Sequence, residues 1–123
     1  MKTIILVLIA FIFFIGCASK TPIYTKSSTV IFKTPNMKFY DKGFIYKFDD
    51  HIQVQIFEVG HLILDMKIYK DEVCRSSLEC ISSKEFNRLY LHPSYKDDFL
   101  YELFLKNKIY HKDRKNNILI KVK

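Results

Sequence analysis

Three cysteines set what chemistry this chain can do, and their neighbours give them different roles. Cys17 follows a basic start at Lys2, an apolar run from Ile4 to Ile15, and then Gly16. A basic end, about 7 to 15 apolar residues and a small residue before the cut make a secretory signal, so cleavage is expected between Gly16 and Cys17. The run stops short of the roughly 20 residues that cross a bilayer, which disfavours an uncleaved membrane helix. In an oxidising compartment Cys74 and Cys80 are expected to form a disulfide. The loop they close is short, so its entropic contribution is small, and its expected role is to fix the crossing from a strand into the helical segment beyond. C-x5-C lacks the C-x-x-C spacing of a thiol redox site. Zinc would need two more ligands, and His92 is the one histidine near. No metal or cofactor is expected.

The remaining side chains form no catalytic pattern. His51, His61, His92 and His111 are spread singly, without an H-x-x-x-H pair or a serine-nucleophile motif. Asp49-Asp50 reads as a turn, while Asp97, Asp98 and Glu102 read as a solvated helix face. Gly16, Gly43 and Gly60 are too few and too scattered for a phosphate-cradling loop. A noncatalytic protein is the expectation.

Phe14-Ile15-Gly16-Cys17 resembles the lipobox of bacterial lipoproteins, with Phe14 where leucine is usual. The resemblance implies that Cys17 is thioether-linked to diacylglycerol, carries further acyl chains such as palmitate, and begins the mature chain. Two or more chains anchor stably, whereas one binds marginally. In such families an aspartate after the cysteine favours inner-membrane retention in some bacteria. Ala18 supplies no such signal, which points to the outer membrane, facing the periplasm.

The formal charge of +7 is unevenly spread. Residues 1–40 contribute five lysines. Residues 41–105 hold eight Lys or Arg against twelve Asp or Glu, and residues 106–123 hold seven against one. A neutral-to-acidic body thus sits between a basic stalk and a basic tail. For an exported chain the matching surfaces are anionic lipid or cell-wall polymer, with nucleic acid excluded as a partner. Solubilising lysine on exposed strand edges explains much of the same charge.

The expected organisation is a signal peptide (1–16), a lipidated N-terminus and flexible tether (17–28), and one small globular domain (29–123). Strand-like runs occur at 29–32, 38–40 and 44–48, with Asp41-Lys42-Gly43 read as a turn. Ile52, Val54 and Ile56, then Leu62, Leu64, Met66 and Ile68, alternate with polar residues on either side of Gly60, predicting a hairpin with one apolar face. Ser82 to Glu85 is a capping-box pattern opening a helix through Phe86, Leu89 and Tyr90. His92-Pro93 ends it, Ser94 is the expected cap of a second helix through Phe99, Leu103 and Phe104, and a closing strand is expected at 117–122. The fold class is α+β: a curved antiparallel sheet of about five to six strands, two consecutive C-terminal helices and a closing strand.

Eleven Phe, eight Tyr and no Trp make the domain rich in aromatics, most of them expected in the core. Phe57 and Val59 fall on the face of Gln53 and Gln55, and Tyr101 and Leu105 leave the helical stripe, so some apolar surface is expected outside or along a groove. From Gly43-Phe44 through Cys74 and Cys80 to Phe86-Asn87 the chain resembles small lipoproteins of Gram-negative envelopes that have no assigned chemistry. The layout is more distantly similar to the half-barrels LolA and LolB, which are longer and hold acyl chains. These resemblances imply an envelope lipoprotein with a structural or assembly role, docking an envelope protein, or alternatively a lipid- or lipoprotein-binding module.

Overall fold

Alternating apolar and polar residues carry most of the chain into one antiparallel sheet. The computed structural model describes the chain apart from residues 13–15, 17–19, 77 and 78. Helix α1 (Lys2–Ile12) falls within the apolar N-terminal run; among the described residues no helix is long and apolar enough to cross a membrane. Strands β1 (Tyr24–Lys33), β2 (Lys38–Lys47), β3 (Ile52–Glu58), β4 (His61–Ile68), β5 (Glu72–Arg75) and β6 (Glu79–Ser82) lead into helices α2 (Ser83–Tyr90) and α3 (Phe99–Leu105). The hairpin β7 (Tyr110–Asp113) and β8 (Ile118–Val122) follows.

The sheet is curved and ordered β6-β5-β4-β3-β2-β1-β8-β7, so the last hairpin returns beside β1. The α+β class with a closing strand holds, but the sheet has eight strands where five to six were expected. Strands β5, β6 and β7 were missed because four residues are too few to display a period. Charge hid β7 in particular, since Tyr-His-Lys-Asp reads as part of the basic tail.

Register corrects three further expectations. Residues 24–28, assigned to the tether, belong to β1, where Tyr24 to Ser28 pair with Lys47 to Gly43 and give that end of β2 its backbone partners. Asp41-Lys42-Gly43 is the middle of β2 and not a turn. Gly43 is required by a close approach: a Cβ there would lie 2.3 Å from the Gln55 carbonyl oxygen and 3.2 Å from Val30 Cγ2. The β3–β4 hairpin forms as read, but its register shifts after Ile56, where Leu64 stands opposite Ile56 and Leu62 opposite Phe57. Ile63 is the extra residue of this bulge. Leu64, Met66 and Ile68 stay on the buried face, while Leu62 is turned out and 48% exposed.

The two-residue turn is Val59-Gly60, with φ of 49° and 77°. Positive φ at both central residues is the geometry whose twist matches a hairpin.

Ser82 caps α2 by accepting from the Glu85 N–H at 3.2 Å, while the Glu85 carboxylate turns to Arg88 instead of reaching back. The second helix begins at Phe99, later than the Ser94 cap implied. Ser94 is held by His92 Nδ1 in the intervening turn, and Asp98 occupies the N-cap position without a side-chain bond. Asn87 ties α2 to that turn by donating to the Lys96 carbonyl at 2.7 Å.

Phe86 from α2, Leu91 just beyond it, and Leu100, Leu103 and Phe104 from α3 are buried with Val30, Ile45, Val54, Ile56, Met66 and Ile120 of the sheet. Every residue of this core lies between Val30 and Val122. Its sheet side is aliphatic apart from Phe32, while Phe86 and Phe104 enter it from the helices and Phe39, Tyr90, Tyr95, Phe99 and Tyr101 pack against it partly buried. Phe44, Tyr46 and Phe57 instead pack on one another on the opposite side of the sheet, with ring centroids about 6 Å apart.

Candidate functional site

Cys17, the expected lipidation residue and cleavage position, lies outside the described residues together with Phe14, Ile15 and Ala18; Gly16 is exposed. Near the leader's entry to the domain, Lys20 Nζ is 3.1 Å from Asp50, and the Ile23 N–H donates to the Lys47 carbonyl. The chain therefore enters the sheet at the end formed by Tyr24, Lys47 and the β2–β3 turn. His51 lies in that turn, buried between the rings of Phe48 and Tyr69. Its Nδ1 donates to Asp50 at 2.6 Å, and this bond, with the one from Lys20, holds the Asp50 carboxyl down at about 2.

Cys74 and Cys80 stand directly opposite each other on β5 and β6, with their sulfurs 2.04 Å apart. The bridge thus joins two paired strands, and β6 runs on into α2. Glu72 comes within 4.8 Å of both sulfurs, a ligand the sequence reading passed over. With the sulfurs bonded to each other there is no thiolate to bind a metal there.

A second cluster joins residues that sequence spacing keeps apart. Tyr95, before α3, donates its O–H to Asp113 on β7 and lies 3.0 Å from His111 Nε2. Because the phenol proton points to the carboxylate, Nε2 carries its own hydrogen and donates to the Tyr95 oxygen. Asn116 donates to Asp113 from both its backbone and its side chain. Tyr95 and Asn116 hold the Asp113 carboxyl at about 2, whereas burial and then Asp113 push the Tyr95 phenol upward. Burial also lowers His111, whose ring meets Phe99 edge-on. These bonds fasten the β7–β8 hairpin to the turn that precedes α3.

The chain matches no family model, no curated protein and no solved structure.

At the end of the sheet opposite Tyr24 lies the β3–β4 tip. Val59 is 92% exposed, and Leu62 and Ile63 are exposed beside it. A β-branched residue at positive φ is unfavourable, so this tip keeps Val where Asn or Gly would relax the backbone. Sequence alternation flagged Val59 as outward-facing. The bulge that adds Leu62 and Ile63 had no local signal.

Proposed function

We propose that this chain is a noncatalytic lipoprotein of the bacterial envelope, anchored through Cys17 in the outer membrane, whose domain docks an envelope protein in a structural or assembly role. The observation that carries the docking reading is the apolar β3–β4 tip, strained at Val59 and at the far end of the sheet from the tether. A fold that keeps an unfavourable apolar residue fully in solvent has a use for that surface. The packed concave face weighs against the alternative of an acyl-chain groove between sheet and helices, because Phe86, Leu103 and Phe104 occupy that space.

Two measurements test the reading. Cys17→Ala should release the protein from membrane fractions, and continued tight retention contradicts the lipid anchor. A photoreactive residue in place of Val59 should crosslink to a discrete envelope protein in intact cells, while the same group at Lys112 on β7 should not. Indistinguishable adducts from both positions would refute docking by the tip.

A further inference from the structure

Three lysines meet where the sheet runs past its helical cover. On the core-facing side of β1 and β2 the apolar series ends at Val30 and Ile45, and the next positions along it towards the tether include Lys26 and Lys47. Register sets Tyr24 opposite Lys47 and Lys26 opposite Ile45. Lys106, Asn107 and Ile109, which follow α3, complete an open groove of about 410 Å3 over this surface. Among the described residues no carboxylate lines it. Lys47 is held in place: its Nζ donates to the Leu105 carbonyl at 3.2 Å and lies 5.4 Å from the centroid of the Tyr24 ring. Burial, and then the charge of Lys26, lower its pKa, as expected for an ammonium lacking a counter-charge.

We propose that this groove binds the phosphate of an anionic phospholipid headgroup in the membrane that carries Cys17, a proposal that rests on the lipid-anchored reading above. A phosphodiester supplies the missing negative charge to the lysine ammoniums, while the half-exposed Tyr24 ring offers apolar surface to the glycerol region. Position selects a lipid over free phosphate. Six residues lie between Cys17 and Tyr24, and these seven chain steps reach at most about 25 Å, which keeps the groove close to the headgroup layer.

The full chain in neutral maltoside micelles, titrated with dihexanoyl phosphatidylglycerol, should show saturable protection of Lys26 and Lys47 from amine acylation, read by mass spectrometry. Dihexanoyl phosphatidylcholine should give no protection, and inorganic phosphate much less. Replacing Lys26 and Lys106 together by Gln should weaken the effect at Lys47 at least about fivefold at an unchanged melting temperature. Lys106→Gln alone covers the case in which the pair disturbs β1. Lys112→Gln with Lys115→Gln should leave protection intact. Absence of saturation overturns the site, equal protection by inorganic phosphate overturns the lipid assignment, and equal weakening in the two double variants shows diffuse charge and overturns both. The acyl mass on Cys17, measured on the cell-derived protein, decides the anchor separately, because the micelle titration does not depend on it.

Discussion

At the scale of single residues, Asp113 makes the sharpest prediction. Its folded carboxyl lies at about 2, against roughly 3.9 unfolded. The unfolded state therefore takes up the proton first. The Asp113 contribution to stability is present above about pH 4 and is lost as the pH falls through about 2. His111 acts earlier on the same limb: with its folded pKa lowered by burial, stability begins to fall once the pH drops through about 6.5, where the unfolded imidazole charges. Asp113→Asn should flatten the acid-unfolding curve between about pH 4 and 2 and bring the Tyr95 phenol partway back towards its ordinary value, because burial still raises it. Urea unfolding across pH and tyrosine absorbance would read the two effects. Cys74 and Cys80 should resist thiol labelling until reduced. Replacing both by Ser should cost about 2 kcal/mol, the chain-entropy value for so short a loop, with hydrogen exchange rising first in β5 and β6. Readily labelled thiols in oxidised protein would contradict the bridge.

At the scale of elements, the β3–β4 turn and strand β2 carry opposite predictions. Val59→Asn relieves a β-branched residue at φ 49° and should stabilise the domain by about 1 kcal/mol in thermal unfolding. A loss of stability there would mean that Val59 is packed in solution. Gly43→Ala drives a methyl into the Gln55 carbonyl oxygen on β3 and should destabilise by about 1 to 3 kcal/mol, since β2 must shift along its length. The same elements show how far local reading goes. Alternation through Ile52 to Ile56 and Leu64 to Ile68, and the Ser82 cap, are properties of adjacent residues and were legible. The bulge at Ile63 and the close approach at Gly43 depend on what lies across the sheet. Gly43 was accordingly mistaken for a turn residue.

For the molecule as a whole, the core's confinement to Val30 through Val122 predicts that a chain beginning at Lys20 melts at the same temperature as the full chain in the same detergent, as calorimetry can test. A clear drop would mean that the leader packs on the domain. The sequence by itself determined the α+β class, the alternation of the β3–β4 hairpin, the Ser82 cap and the pairing of the last two cysteines. These follow from composition, period and spacing, which act over a few residues. Only the tertiary structure decided that eight strands form the sheet and that Tyr24 to Ser28 belong to it. It also brought Tyr95 to His111 and Asp113, and Lys26 and Lys47 to Lys106. The reason is physical: β8 pairs with β1 across most of the chain's length, and contacts so far apart in sequence leave no local pattern.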